Sequence, residues 1–312
     1  MPMTHSRVGS YDLVAELGAG AMGVVYEAEH RLLGRRVAIK TIRPEIAADQ
    51  ALIRRLVGEA RAVATLEHPA IVRLYDFSFE GSSPYMVMEL VKGRTLAALM
   101  QGGRRLQPAW VVKVLRPVAE ALDHAHWNGV IHRDVKPANI VLADDGRVMV
   151  MDFGLAFLQQ ERVLTEPGSI VGTADYIAPE QVARESLQGT ADVYSLAAVI
   201  FHAVTGRPPF LGTTWLDVAA RRLREAPPPA CAVVPELSEE FSQRLAVGLT
   251  RDPAKRTPTA VELLDQLEDA LRAPSVWETE MAQRSQRRVE HSRFGTGFAR
   301  RAAGALSYLR YP

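Results

Sequence analysis

Residues 131–142 read IHRDVKPANIVL, a segment in which one aspartate stands between two basic residues and an asparagine follows five positions later. Its polar positions are Arg133, Asp134, Lys136 and Asn139. A cluster of charges is usually the solvated face of an element, but here Ile131 and the run 140–142 enclose it with apolar side chains. We therefore predict that the segment lies in a cleft and that its polar side chains carry chemistry.

The composition is that of an ordinary globular protein. The chain has 312 residues, of which 47% are hydrophobic and 23% are charged. This length suffices for two packed lobes. A net charge of +1 gives no reason to expect a nucleic-acid partner.

Three features predict a cytoplasmic protein. The one cysteine, Cys231, excludes an internal disulfide and suits a reducing compartment. The amino terminus has no apolar run of the kind found in signal peptides. The longest apolar stretch, Val193–Val204, is interrupted by polar residues and is too short to span a bilayer.

Residues 10–91 are predicted to form a small β lobe. Alternating or β-branched runs separated by glycines and turns indicate five antiparallel strands, at Tyr11–Leu17, Val24–Ala28, Arg36–Ile42, Ile71–Phe77 and Tyr85–Val91. Apolar residues at helical spacing predict one helix over 47–66.

Residues 92–272 are predicted to form a larger, mainly helical lobe. Pro108 begins a long helix that ends near Trp127. Two short strands follow, and the later helices are expected at about 190–205, 213–225, 238–249 and 259–271. The fold class is therefore α+β, with two lobes.

The segment LGAGAMGVVYEA, residues 17–28, places three glycines between two predicted strands. Gly18, Gly20 and Gly23 would let the backbone approach a phosphate and present its N–H groups to it. A dinucleotide-binding turn shares this spacing but opens a helix, whereas Val24 and Val25 continue as a strand. Dinucleotide binding is therefore disfavoured.

Lys40 ends an apolar strand, where a buried ammonium needs an anionic partner. Glu59 follows on the predicted helix among apolar neighbours. Taken alone, Glu59 could equally join Arg55 or Arg61 in a surface pair. Together with the other motifs, a Lys40–Glu59 pair that directs the ammonium at nucleotide phosphates is the better prediction.

Five motifs occur in a fixed order: the glycine-rich turn, VAIK (37–40), HRDVKPAN (132–139), DFG (152–154) and APE (178–180). In this order and spacing they resemble the bacterial eukaryotic-like Ser/Thr protein kinases, over residues 10–272. The resemblance implies the bilobal protein kinase fold and ATP-dependent phosphorylation of serine and threonine hydroxyls on proteins.

The resemblance also assigns catalytic roles. Asp134 would orient the substrate hydroxyl and accept its proton, and Lys136 would stabilise the γ-phosphate. Asn139 and Asp152 would hold Mg²⁺ or Mn²⁺ ions that bridge the phosphates of ATP. The Lys at position 136 is typical of Ser/Thr rather than Tyr kinases.

Further site residues follow from the same resemblance. The adenine pocket would consist of Leu17, Val25, Ala38 and Val141, with Met88 as gatekeeper and hinge hydrogen bonds from the backbone of Glu89 and Val91. His132 and Phe153 would be structural and form a stack with Val63 and Leu74. Asp192 would anchor the catalytic loop, and Glu180 would pair with Arg256.

Residues 155–177 are expected to form an activation segment. Thr173 would bond Asp134 and Lys136 and shape the site for a small hydroxyl. Arg133 requires an anion, and a phosphate on the segment would supply one. We hypothesise autophosphorylation at Thr165, with Ser169 as a second site.

Residues 273–312 form a basic tail outside the resemblance, with seven Arg against one Glu over 281–312. The tail could lie on an anionic membrane, dock a partner, fold against the kinase or remain disordered. The family implies a Ser/Thr phosphatase and a phosphothreonine-binding protein as partners, and a homodimer is compatible with the sequence.

Two other functions share part of this pattern. A pseudokinase scaffold would lack part of the catalytic set, which is complete here. Small-molecule kinases of the aminoglycoside or choline type share the fold core but lack the APE segment and the Arg256-bearing end. Both alternatives are therefore disfavoured.

Overall fold

A computed structural model describes residues 7–20, 22–153 and 175–272, and the elements are numbered over these residues. The first part is a six-stranded antiparallel sheet with strand order β1-β2-β3-β4-β6-β5. Its strands are β1 (Arg7–Val8), β2 (Tyr11–Ala19), β3 (Gly23–His30), β4 (Arg36–Ile42), β5 (Leu74–Glu80) and β6 (Ser83–Met88).

The two faces of this sheet have separate cores, as the alternation of side chains along a strand requires. In β4, Val37 and Ile39 pack with residues of β2, β3 and β6 on one face. Ile42 packs on the other face with Leu56 of the helix α2 (Gln50–Ala64). Lys40 and Ile42 are two residues apart in β4, so their side chains lie on the same face of the sheet, the one that α2 covers.

The sequence prediction of five strands and one helix is confirmed, although β5 begins three residues later than predicted, and two short elements are added. The short strand β1 extends the sheet by pairing with β2. A one-turn helix, α1 (Pro44–Ala47), precedes α2. Asp49 caps α2 by accepting hydrogen bonds from the amides of Ala51 and Leu52, which places the helix start three residues later than predicted.

The second part is mainly helical. A small sheet, β7-β8-β9, lies next to the connection between the lobes. Its strands are β7 (Gly93–Thr95), β8 (Ile140–Ala143) and β9 (Val148–Val150). The helices are α3 (Leu96–Leu99), α4 (Pro108–Trp127), α5 (Pro179–Ala183), α6 (Thr190–Thr205), α7 (Trp215–Arg224), α8 (Ala230–Val233), α9 (Glu239–Gly248) and α10 (Ala260–Arg272).

Helix α6 is the centre of this lobe. Fourteen of its residues are buried, so it is apolar nearly all round, as a helix enclosed by others must be. Asp123 of α4 caps α10 by accepting hydrogen bonds from the amides of Ala260 and Val261, at 2.8 and 3.0 Å. This contact fastens the start of α10 to α4.

Within the described ranges, no helix is both long enough and apolar enough to cross a membrane.

Candidate active site

A buried carboxylate fixes the loop that contains Asp134. Asp192, on the first turn of α6, accepts hydrogen bonds from the backbone amides of His132 and Arg133, each at 2.8 Å. Its Oδ2 also contacts Nε2 of His126 at 2.8 Å. Burial tends to raise the pKa of Asp192, but these hydrogen bonds and the His126 imidazole outweigh it and hold the pKa below its ordinary value. The carboxylate is thus ionised and anchors the loop.

Asp134 lies at the centre of a short hydrogen-bonded network and is 8% exposed. Its Oδ2 is 2.7 Å from Nζ of Lys136. Asn139 donates from Nδ2 to the same Oδ2 at 3.0 Å and to the Asp134 carbonyl oxygen at 2.8 Å. The carboxylate is therefore oriented by two donors from its own loop.

His132 is held in one tautomer. Its Nδ1 accepts a hydrogen bond from the amide of Asp134 at 3.2 Å, and its Nε2 contacts the Met151 carbonyl oxygen at 2.8 Å. Because a carbonyl oxygen can only accept, Nε2 carries the proton and the imidazole is neutral. Both nitrogens are thereby engaged, which suits a structural role for this fully buried ring.

Asn139 and Asp152 offer oxygen atoms at the mouth of the same site. The amide of Met151 donates to the Asn139 carbonyl oxygen at 2.8 Å, which brings the two segments side by side. Since Nδ2 of Asn139 is engaged with Asp134, its side-chain oxygen is the atom available to a cation. One amide oxygen and one carboxylate form a hard donor set that fits Mg²⁺.

Lys40 is paired with Asp152. Its Nζ lies 2.8 Å from Oδ1 of Asp152, and the lysine is 6% exposed. Burial alone would raise the pKa of Asp152, but the ammonium of Lys40 outweighs this effect, so the pKa lies below its ordinary value.

The prediction that Lys40 pairs with Glu59 is wrong for this structure. Glu59 instead contacts Arg133, with 3.1 Å between Oε1 and Nη1. The physical reason is proximity: packing brings a second carboxylate, Asp152, next to the buried ammonium of Lys40, and places Glu59 nearer to the guanidinium. Sequence spacing alone could not show which cation Glu59 would contact or which carboxylate Lys40 would contact.

The three glycines of the turn serve different purposes. A side chain at Gly23 would collide with the Thr41 carbonyl oxygen of the neighbouring strand, so glycine is required there by the sheet itself. A Cβ at Gly18 or Gly20 would meet no atom within 4 Å among the residues that the structure describes. The space above these two glycines is therefore open to a ligand.

The predicted adenine-pocket residues lie on adjoining strands. Ala38 of β4 is the register partner of Met88 at the end of β6, and Val141 is buried in β8. Val25 and Val91 are partly buried, whereas Leu17 is 51% exposed. The Glu89 amide donates to the Arg73 carbonyl oxygen at 2.9 Å, and its side chain pairs with Arg147.

The predicted stack of four side chains connects the lobes. The rings of His132 and Phe153 are 4.5 Å apart. Phe153 lines a cavity of about 20 Å³ together with Val63 of α2 and Leu74 of β5. Val63 and Phe153 also belong to one buried apolar cluster, against which Leu74 packs, so helix α2 and the catalytic loop share a core.

A buried ion pair anchors α5. Arg256 forms a bidentate salt bridge with Glu180, with Nη1–Oε1 and Nη2–Oε2 distances of 2.6 and 2.7 Å. The guanidinium also donates to the carbonyl oxygens of Thr190, Thr250 and Arg251.

The sequence reasoning missed Gln181. This residue is 5% exposed, and its amide nitrogen donates to the Arg133 carbonyl oxygen at 2.9 Å. Its side-chain oxygen accepts from the Ala178 amide at 3.0 Å. A Gln three residues after the N-cap residue, here Ala178, is a capping signal, but that signal does not indicate a contact with the catalytic loop.

Three predicted residues, Thr165, Ser169 and Thr173, lie outside the described residues. The structural positions of the hypothesised phosphosites and of the substrate shelf therefore remain predictions.

Comparison with known proteins identifies close relatives of this architecture. A family model described as the protein kinase domain matches residues 11–267. A probable serine/threonine-protein kinase of Streptomyces coelicolor is 38% identical over 269 residues, covering 84% of this chain. Serine/threonine-protein kinase PknA of Mycobacterium tuberculosis is 38% identical over 253 residues, covering 80% of this chain.

The match covers only part of these relatives, namely 40% of the length of the Streptomyces protein and 58% of PknA. Among solved structures, the PknI kinase domain of Mycobacterium tuberculosis matches with a TM-score of 0.69 at 30% identity. That match covers 85% of this chain and 98% of the PknI chain.

Proposed function

Because the chain belongs to the protein kinase family, we propose that it transfers the γ-phosphoryl group of ATP to serine and threonine hydroxyls of proteins. The observation that carries the proposal is the setting of Asp134. Its carboxylate is buried and is held by Lys136 at 2.7 Å and Asn139 at 3.0 Å, next to Asp152. Relatives at 38% identity are named serine/threonine-protein kinases, which supports the hydroxyl specificity.

In this proposal Asp134 hydrogen-bonds the substrate hydroxyl and aims its oxygen at the γ-phosphorus. It accepts the hydroxyl proton as the bond to phosphorus forms and the bond to the bridging oxygen of ADP breaks. Lys136, on the same carboxylate, offers a cation to the oxygens of the transferring group. Phosphoryl transfer gains most from such positioning and charge stabilisation, which is what these residues can supply.

Asn139 and Asp152 would hold the divalent cation, which neutralises charge on the phosphates. Among residues 7–20, 22–153 and 175–272, no cluster of three or more His, Cys, Asp or Glu side chains is placed to hold a metal by itself. That fits a cation that takes its remaining ligands from phosphate oxygens and water, as Mg²⁺ prefers. Mn²⁺ is compatible with the same donors.

The nucleotide would lie between the two lobes. Val25, Ala38, Val141 and Leu17 would contact the adenine, and Met88 would limit the depth of the pocket. Because the Glu89 amide is engaged with Arg73, we assign its carbonyl oxygen, with the backbone of Val91, to the hinge hydrogen bonds. The open space above Gly18 and Gly20 would admit the phosphates.

We further propose autophosphorylation at Thr165 or Ser169. Within the described part of the chain, Arg133 pairs with the carboxylate of Glu59 at 3.1 Å, and both side chains are about one quarter exposed. A phosphate carries about two charges and would compete for the guanidinium. Glu59 would then be free to move towards Lys40, and Asp152 towards the metal.

Other partners are proposals that rest on family membership and the basic tail. They comprise a Ser/Thr phosphatase that reverses the modification, a phosphothreonine-binding protein that reads it, a second copy of the chain, and an anionic membrane surface met by the tail.

The test is transfer from γ-labelled ATP with Mg²⁺ to a generic basic protein, comparing the wild type with Asp134→Asn. We expect the variant to lose at least about a thousandfold in kcat while it still binds nucleotide, because Lys40 and the glycine turn are unchanged. Mass spectrometry of residues 155–177 would locate autophosphorylation. Nucleotide binding without transfer by the wild type would favour a scaffold role and refute the proposal.

A further inference from the structure

We propose that Gln181 is a positioning residue of the catalytic loop and sets the direction in which Asp134 points. The inference rests on the proposed kinase activity. Gln181 lies in α5, yet its amide nitrogen donates to the Arg133 carbonyl oxygen, 48 positions away in the chain, at 2.9 Å. Its side chain hydrogen-bonds backbone atoms of Ala178 and Arg133, so its effect would pass through the loop.

The contact acts on the peptide group that precedes Asp134. The carbonyl of this group belongs to Arg133 and is held by Gln181, and its N–H belongs to Asp134 and is held by Nδ1 of His132 at 3.2 Å. Hydrogen bonds at both ends prevent the peptide plane from rotating. Because Cα of Asp134 is part of this plane, the plane determines where the carboxylate projects.

The backbone at this point is in a conformation that needs support. Arg133 has a φ of 67°, in the left-handed region that side-chain-bearing residues rarely adopt. Such a residue persists only where its surroundings hold it. Asp192 holds the N–H of Arg133 from α6, and Gln181 holds its C=O from α5, so the strained residue is fixed from two sides.

The amide of Gln181 is itself oriented without ambiguity. Its oxygen accepts from the Ala178 amide at 3.0 Å while its nitrogen donates to the Arg133 carbonyl oxygen. Exchanging the two atoms would set acceptor against acceptor and donor against donor. The preceding residue, Glu180, is paired with Arg256, which fixes the turn that carries Gln181. The hydrogen bond from Gln181 to the Arg133 carbonyl oxygen is called the clamp below.

Gln181→Glu separates the clamp from simple packing, because the two side chains have the same shape. An ionised Glu keeps the acceptor for the Ala178 amide but turns a second acceptor towards the Arg133 carbonyl oxygen, and the clamp is lost. A protonated Glu regains the donor. Burial at this position raises the pKa of the introduced carboxyl above that of an exposed glutamate, so the donor is present at low pH and is lost as the pH rises.

The experiment measures kcat and KM for ATP between pH 6 and 8.5 in the wild type and in Gln181→Glu. We expect the ratio of variant to wild-type kcat to fall at least tenfold as the pH rises, with KM for ATP changing less than twofold. The charged groups around position 181 are present in both enzymes, so the ratio isolates the substitution; these groups are Arg133, Glu59, Glu180, Arg256 and Asp192.

Two further variants make the result decisive. Gln188→Glu introduces the same charge at an exposed position seven residues away and should give a ratio that does not depend on pH. Gln181→Met, apolar and of similar length, should lower kcat about tenfold or more at every pH. It also covers the case in which Gln181→Glu fails to fold at high pH. Melting temperatures and nucleotide affinities are recorded for all variants.

The inference would be overturned if the ratio of kcat values for Gln181→Glu did not change with pH and kcat were unchanged in Gln181→Met. If the wild type were active in that case, the proposed function would still stand. A loss of kcat that only follows a loss of folded protein or of nucleotide affinity would also overturn it, because the role would then be structural. A wild type that transfers no phosphate would refute the proposed function, and this inference with it.

Discussion

The buried pair of Glu180 and Arg256 gives the sharpest prediction about stability. In Arg256→Met the guanidinium is replaced by an apolar side chain of similar length, and Glu180 remains 3% exposed with its charge unpaired. Three backbone carbonyl oxygens, those of Thr190, Thr250 and Arg251, also lose a donor. The variant should therefore be destabilised through charge burial rather than through a cavity.

The magnitude follows from these contacts. Removing one partner of a buried ion pair costs about 3–5 kcal/mol. The lost hydrogen bonds to the three carbonyl oxygens add up to about 1 kcal/mol each, and such costs are not fully additive. We expect the free energy of unfolding to fall by at least about 4 kcal/mol, which for a chain of this size lowers the melting temperature by roughly 10 °C.

Urea unfolding followed by circular dichroism measures this change, with Arg272→Met as the matched control. Arg272 pairs with Glu268 at 2.6 Å but is 71% exposed, and an exposed pair of this kind contributes about 0.5 kcal/mol or less. Replacing both Glu180 and Arg256 by Met should recover part of the loss, because no unpaired charge remains. A loss within about 1 kcal/mol of the control would refute the reasoning.

Two other predictions concern the turn and the end of the activation segment. Gly23→Ala should lower the melting temperature because its Cβ meets the β4 backbone. Gly20→Ala should leave the melting temperature unchanged but weaken ATP binding in a direct titration. Equal effects of the two variants on stability would contradict the assignment. Burial raises the pKa of Asp175 to about 6, with Arg222 opposing it, so the stabilising protonation of the folded state is lost as pH rises through 6. Asp175→Asn should therefore raise the free energy of unfolding by about 1 kcal/mol at pH 8, after discounting for solvent screening, and by less at pH 5. A gain that did not depend on pH would exclude this cause.

Much of the fold could be predicted because it depends on local patterns. Alternation in β4 and helical spacing in α4 and α10 reflect which faces are buried, and a single sequence records that directly. The short strand β1 and the one-turn helix α1 were not predictable in this way. They contain two and four residues, too few to show a period.

In the candidate site, too, contacts within one short segment could be predicted and contacts between distant segments could not. Asp134, Lys136 and Asn139 lie within six residues, so their meeting in one network depends on local geometry that the motif already specifies. Glu59 and Gln181 lie far from the loop in sequence. Their contacts with Arg133 depend on how α2 and α5 pack, which no spacing rule reveals.

The sequence by itself thus determined the lobes, the order of the motifs and the chemistry of the side chains gathered at the cleft. Only the tertiary structure decided which charges meet. Lys40 could be expected near a carboxylate, but whether Glu59 or Asp152 came closest was settled by distances of a few ångströms. The reason is that electrostatic and hydrogen-bonding partners are selected by distance and burial, and both are properties of the packed chain.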